Sequence, residues 1–451
     1  MSSNQDFMKT KPVLPLLASM AIPMMLSMLI QSLYNIIDSI FVARLGTAAL
    51  TAVSLVYPLQ NIVVSIAVGI GVGISSAIAM NLGRKDRDQA SKAASIGMML
   101  TVFHCIAFII LGLVVTRPFL QLFTRDPHTF SLACSYSYIV LCFSSASLLQ
   151  ISLEKIFQAT GAMIITMCAL ATGCIVNIIL DPIMIFGLLG CPALGVAGAA
   201  IATVIGQSSS LFIYLVICAR KDIGVSISRR YLSFDKAMIR QIYGVGIPSA
   251  IMIGLPSILV SFLNSMLIRF SEVYVAVLGI YLKLQTFIYM PANGIVQGMR
   301  PIIGYNYGAG EKVRLRQTIR WSMVLTAAIM AVGTAAALLF PGAILSLFTR
   351  DELLLESGVT ALRAISPGFL LSTFSIVACG IFEALGKGRE SLTISLLRQL
   401  IIILILGNLL SGILGVLGIW LSFPIAEAVA AVSAMILYKK AENELFRPTL
   451  T

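Results

Sequence analysis

Long apolar runs recur along the whole chain, separated by short turns that collect Gly, Pro and charged residues. About 20 mostly apolar residues let one α-helix cross the hydrocarbon of a bilayer. The runs predict such helices at 13–40, 50–80, 93–116, 130–154, 160–189, 193–219, 238–268, 274–304, 318–340, 356–382, 391–411 and 414–438. Twelve crossings make an all-α polytopic membrane protein. A soluble catalytic domain, a disordered regulator and a disulfide-stapled secreted module are excluded, leaving a transporter, a channel or a membrane-embedded enzyme.

Composition agrees with the pattern. Of 451 residues, 58% are hydrophobic and 11% charged, with a mean hydropathy of +0.97, whereas roughly a quarter of the residues in a soluble domain carry charge. The net charge of +12 would suggest nucleic acid in a soluble chain, but here it reports topology. With the amino terminus inside, 22 of the 31 Lys and Arg residues fall on one side, including Lys155 and six in the 220–240 stretch, and six on the other. That bias places both termini in the cytoplasm. The first apolar run is too long for a cleavable signal peptide and leads straight into a second.

The eight cysteines are scattered without a C-x-x-C pair, and His104 and His128 are the two histidines. Neither a zinc site nor a redox pair is expected, and the thiols read as small apolar packing groups.

Self-comparison is the most informative step. Leu122-Phe123-Thr124-Arg125-Asp126 recurs letter for letter as Leu347-Phe348-Thr349-Arg350-Asp351, a shift of 225. The same shift carries Ile22-Pro23 onto Ile247-Pro248, Gln60 onto Gln285, Gly69 and Gly73 onto Gly294 and Gly298, and Gly161 onto Gly386. A short deletion then brings Leu194-Gly195-Val196 onto Leu414-Gly415-Val416 and Gln207 onto Glu427. Each copy holds six crossings, an even number, so the copies run in the same direction and are expected about a pseudo-two-fold axis along the membrane normal. The expected organisation is an amino-terminal lobe at 1–219, a cytoplasmic linker at 220–240, a carboxy-terminal lobe at 241–438 and a cytoplasmic tail at 439–451. Two six-helix lobes in a single chain suit alternating access in a monomeric carrier better than a channel built around one pore.

At these repeated residues the chain resembles the multidrug and toxic compound extrusion (MATE) family of cation-coupled exporters. Three sets of residues carry the likeness: the two Ile-Pro pairs; Gln158-Ala159-Thr160-Gly161 with Glu383-Ala384-Leu385-Gly386; and Asn177-Ile178-Ile179-Leu180-Asp181-Pro182 followed by Gly195-Val196-Ala197-Gly198-Ala199-Ala200-Ile201-Ala202-Thr203. The acidic residues of the first lobe look most like the DinF and MepA type of bacterial members, a resemblance that implies a bacterial inner membrane as the setting.

Ionisable groups inside a bilayer are costly and are functional candidates by default. Gln31, Tyr34, Asn35 and Asp38 follow i, i+3, i+4, i+7 spacing, which puts them on one face of the first helix. That face should line the cleft or a polar pocket, with Met28 from the methionine cluster of the same helix as an adaptable apolar contact. Asn177 and Asp181 are likewise stacked on the fifth crossing. An amide, a carboxylate and a hydroxyl such as Thr203 can bond a protonated acid or supply the oxygen ligands of a sodium ion. The resemblance implies that Asp38, Asn177, Asp181 and Thr203 couple transport to H+ or Na+, with Tyr136 as a further member. The repeat supports this independently: Leu263, Ile402 and Leu406 stand opposite Asp38, Asn177 and Asp181, so the scaffold itself does not require these polar groups.

In the second lobe Glu383, Arg398 and Glu427 are the candidates. Glu383 lies near Lys387 and Arg389 and reads equally as a surface ion pair or a transport residue, Arg398 and Glu427 as a structural bridge or a second ion or substrate site, and Glu154 as a residue at the cytoplasmic mouth. The function expected is secondary active antiport of cationic or amphipathic drugs, with antibiotic resistance as its consequence, no cofactor beyond the coupling ion, no nucleic-acid partner, and membrane lipids as surroundings. Two alternatives are weaker. A flippase for a lipid-linked or polyanionic precursor would want several Lys and Arg in its cleft, and an intramembrane enzyme would want a nucleophile and base or a metal cluster.

Overall fold

A computed structural model describes residues 6–445, and every regular element among them is helical. The helices are α1 (Phe7–Thr10), α2 (Val13–Ala43), α3 (Thr47–Gly83), α4 (Arg87–Phe123), α5 (Pro127–Cys142), α6 (Ser145–Ala159), α7 (Met163–Phe186), α8 (Val196–Arg220), α9 (Lys236–Leu267), α10 (Glu272–Gly308), α11 (Lys312–Leu339), α12 (Pro341–Ser346), α13 (Glu352–Ile365), α14 (Pro367–Ala384), α15 (Gly388–Leu396), α16 (Ile402–Leu414) and α17 (Val416–Leu445). Eleven helices, counting α15 to α16 as one, are long and apolar enough to cross a membrane, and α5 with α6, bent by 43°, supplies a twelfth. The protein is a multi-pass membrane protein.

The predicted crossings therefore stand, with three differences. The fourth crossing is broken: the Ser144 hydroxyl donates back to the Leu141 carbonyl at 2.7 Å, competing with the helical ladder where α5 ends. The tenth is broken at Ser366-Pro367, where Pro367 has no N–H to continue α13. The expected cytoplasmic tail begins as helix, since α17 runs on to Leu445; the rest of it, with Arg447, lies outside the described residues.

The letter-for-letter repeat turns out to be a capping device. Asp126 accepts from the Thr129 amide at 2.9 Å and caps α5, and Asp351 accepts from the Leu354 amide at 2.9 Å and caps α13. In each copy the preceding threonine hydroxyl receives the aspartate's own amide, at 3.3 Å for Thr124 and 3.1 Å for Thr349. The two hydrogen bonds from Thr129 hold the Asp126 carboxyl below the usual carboxylate range. Gly161 and Gly386 end α6 and α14 at φ +81° and +78°, a left-handed conformation in which a Cβ is strained.

Contacts divide the chain into two compact units, one holding residues up to Thr10 with Leu26–Ala250, the other Lys11–Met25 with the chain from Ile251. The division is not at the linker expected between lobes. The first part of α2 belongs to unit 2 and the first part of α9 to unit 1, and the crossover points, after Met25 and after Ala250, are themselves 225 residues apart. Glycines explain both. A methyl on Gly73 of α3 would collide with the Ile242 carbonyl of α9 and lie 3.2 Å from the Gly246 amide nitrogen, while one on Gly298 of α10 would lie 2.7 Å from the Ala21 amide nitrogen of α2. Each cradle lets one helix backbone press directly on another.

The 220–240 segment is fastened along α4 within unit 1. Lys92 pairs with Asp235 at 2.6 Å, the Tyr231 hydroxyl donates to Asp88 at 2.7 Å, and the Ser226 and Ser228 amides donate to the Ser91 and Ser95 hydroxyls at 3.0 and 3.1 Å. The hydrogen bond from Lys92 holds the Asp235 carboxyl below its ordinary range.

Candidate functional site

Five helices of unit 1 bring the predicted polar residues together. The long second part of α2 carries Tyr34 and Asp38, α3 carries Gln60, α5 Tyr136, α7 Asn177 and Asp181, and α8 Thr203. Asp181 is fully buried, Asn177 2% and Tyr136 4% exposed. Their i, i+4 spacing stacks Asn177 and Asp181 on the buried face of α7, where a small-residue contact, Gly206 against Asn177, lets α8 lie close.

The carboxyl groups of Asp38 and Asp181 lie within hydrogen-bonding reach of each other. The Asn177 amide donates to the Thr203 hydroxyl oxygen at 3.3 Å, the Tyr34 hydroxyl also lies beside Thr203, and the Gln60 amide donates to the Tyr136 hydroxyl oxygen at 3.3 Å. Four acceptors are left over: Asp38 Oδ1, Asn177 Oδ1 and both oxygens of Asp181 are buried without a hydrogen-bond donor. Among the described residues no basic side chain pairs with either aspartate. Two ionised carboxylates this close, away from water and without a counter-ion, repel strongly.

The structure departs from the expected grouping in several places. Tyr34, expected in the cleft with Gln31, Asn35 and Met28, lies beside Asp38, Tyr136 and Thr203. Gln31 and Asn35 are exposed and Met28 is half-buried. Gln60 was visible in the repeat, but its tie to Tyr136 depends on a helix 76 residues away.

Three expectations about charge are corrected. Lys155 is not at the cytoplasmic surface: its side chain is 7% exposed, its stem lies against Gly71, and its ammonium donates to Gln158 Oε1 at 2.9 Å and faces Glu154 Oε1 at 3.4 Å. Glu154, expected at the mouth, is 12% exposed and also accepts from Gln158 at 2.8 Å and Gln150 at 3.2 Å. Glu383 does not form a surface pair: it is 2% exposed and ion-paired with Arg300 of α10. Arg398 and Glu427 do form the bridge expected of them, at 3.6 Å. Among the described residues no cluster of His, Cys, Asp and Glu could hold a metal ion by itself, and all eight cysteines are free.

Compared with known proteins, the chain matches the profile of the MatE family twice, over residues 23–183 and 248–409. The two matches start 225 residues apart and cover most of both halves. The chain belongs to the MatE family. Among the relatives of this MatE chain is the multidrug export protein MepA of Staphylococcus aureus, 28% identical over 438 residues, which covers 96% of this chain and 94% of that one. The protein of the same name from Staphylococcus haemolyticus is 26% identical over 426 residues, with 94% and 93% covered. Two solved structures superpose with a TM-score of 0.92 at 26% identity, covering 99% of the MatE chain described here and all of the other. One is a multidrug resistance MATE family transporter in an outward-facing conformation, the other a MOP superfamily transporter from Pyrococcus furiosus.

Proposed function

We propose that this MatE protein is a secondary active exporter of cationic or amphipathic organic compounds, driven by protons or sodium ions bound at Asp38 and Asp181. The observation that carries this reading is the set of four buried acceptor oxygens with no donor and no counter-charge. Such a site favours whatever brings it positive charge. A proton or sodium ion can do so with Asn177 and Thr203 supplying further oxygens, and so can an organic cation, so ion and drug compete for one negative locus. Exchange follows if the empty, doubly charged site resists the rearrangement that turns the transporter from one side of the membrane to the other. One elementary charge moving down 100 mV releases about 2.3 kcal/mol, enough to sustain modest uphill export. The surplus of basic residues on the side of the linker supports cytoplasmic termini, and the staphylococcal relatives support a bacterial inner membrane.

A polyanion flippase is less well supported, because Arg300 and Arg398 are each taken up by a carboxylate. The test is efflux of a fluorescent lipophilic cation from proteoliposomes under an imposed pH gradient or an imposed sodium gradient. Acceleration by one of them identifies the ion, and no acceleration by either overturns the reading.

A further inference from the structure

The second unit also buries a carboxylate at membrane depth, but it carries its own cation. Glu427 of α17 faces Arg398 at 3.6 Å, with the side chains 13% and 14% exposed. Glu427 Oε2 and Arg398 Nε have no hydrogen-bond partner, so their charges answer each other rather than a network of dipoles. The chain distorts to allow this: Leu397–Ile401 form a π-turn between α15 and α16 around Arg398, the kind of local widening that recurs at functional positions. Gly368 of α14 packs against this stretch of α17, where a methyl would lie 3.2 Å from Pro424 Cα and in ordinary contact with Glu427 Cγ at 3.6 Å.

The other titratable groups facing the pair are Tyr281, Tyr289 and Cys379. The tyrosines form an aromatic wall with Phe369 and Phe423, at centroid distances of 5.6 to 6.3 Å. Gln285, the repeat partner of Gln60, lies one turn before Tyr289 on α10, close enough to influence its hydroxyl. The second unit thus keeps the glutamine at the repeat position, with a tyrosine from its own helix beside it. At the places that Arg398 and Glu427 occupy, the first unit has Gly173 and Gln207, with the Ser210 hydroxyl pressed against Gly173.

From this we propose that Arg398 is a tethered counter-cation, standing where a coupling ion would otherwise be bound by Glu427, and that it fixes the number of ions exchanged per substrate at those handled by Asp38 and Asp181. The inference rests on the coupling role proposed above for those two aspartates. Arg398→Gln removes the fixed charge and leaves Glu427 buried and alone, so Glu427 must take up a mobile proton or cation of its own. Each added proton per cycle raises the substrate ratio that a pH gradient can sustain by about tenfold per pH unit, since one unit is about 1.36 kcal/mol.

The experiment measures that limiting ratio in proteoliposomes with the membrane potential clamped at zero, across a series of imposed gradients of the ion that drives efflux. Arg398→Gln is expected to steepen the dependence by one ion, and the double variant Arg398→Gln with Glu427→Gln to restore the wild-type slope. An unchanged slope in Arg398→Gln overturns the proposal. If that variant does not transport, proton uptake by the purified protein across the neutral range decides: one proton more than the double variant supports the tethered cation, equal uptake refutes it. Asp181→Asn runs alongside, because wild-type coupling in that variant would defeat the underlying function while leaving the Arg398 comparison readable.

Discussion

Where the first unit places Asp38, Asn177 and Asp181, the second carries Leu263, Ile402 and Leu406, and Leu263 is fully buried. The carboxylates buried in the spans of the second unit, Glu383 and Glu427, each face a guanidinium, whereas Asp38 and Asp181 face each other. One scaffold therefore holds buried negative charge in two ways. Internal pairing makes the charge permanent and structural. Withholding the partner leaves the two aspartates without a counter-charge among the described residues, which is the feature the proposed coupling role rests on.

Breaking this contrast at its active end should have the largest effect. Asp181→Asn is expected to reduce ion-driven efflux to the background of empty vesicles while the protein still folds, because the substitution removes a charge that nothing in the protein balances. Wild-type rates in both Asp181→Asn and Asp38→Asn would end the distinction between the units.

At the structural end the order of effects is reversed. Glu383→Gln leaves Arg300 without its counter-charge, and losing one partner of a buried pair costs about 3 kcal/mol or more. Thermal melting in detergent should fall clearly in Glu383→Gln and stay near wild type in Asp181→Asn. If the two variants melt alike, buried acids in the two units are not held differently.

A third prediction sharpens what the units share. Gly73→Ala and Gly298→Ala each force a methyl into a backbone contact, and both should lose about 1–3 kcal/mol as overpacked contacts do. Gly254→Ala, which meets nothing within 4 Å, should lose nothing. A melting series in which Gly254→Ala suffers equally would mean that the cradles are not close-packed.

The smallest effect belongs to the linker segment. Asp235 is held below its usual range by Lys92, so its contribution is fully present above the ordinary carboxyl range and is lost as pH falls through the lowered value. The protection of residues 222–235 against hydrogen exchange, taken relative to the intrinsic rate at each pH, should fall on acidification in the wild type, and should already be low at neutral pH in Asp235→Asn.

Much of the fold was legible because its signals are local or periodic. Apolar length gave the crossings, and a fixed offset gave the two halves. The ion cluster was legible in part, since Asn177 and Asp181 declare a shared face by spacing alone. Spacing names a face but not what lies across from it, so Tyr34 was placed with Gln31 and Asn35 although it lies beside Thr203 on another helix. Lys155 misled for a related reason. A positive charge near a helix end is usually a cytoplasmic marker, but here Gly71 on α3 admits the stem and Gln158 and Glu154 take the head. Arg300 as the partner of Glu383 was equally hidden, because the two are 83 positions apart.

The exchanged helix segments carry a consequence for ancestry and for engineering. Lys11–Met25 completes a unit otherwise made of the second half of the chain, and the start of α9 completes the first. A half-length forebear cut at this boundary would have lacked part of its own core, so it would have been built as an intertwined homodimer, each copy lending its opening segment to the other. Severed at the linker today, neither fragment should fold alone, and the two should recover a native protein only when synthesised together.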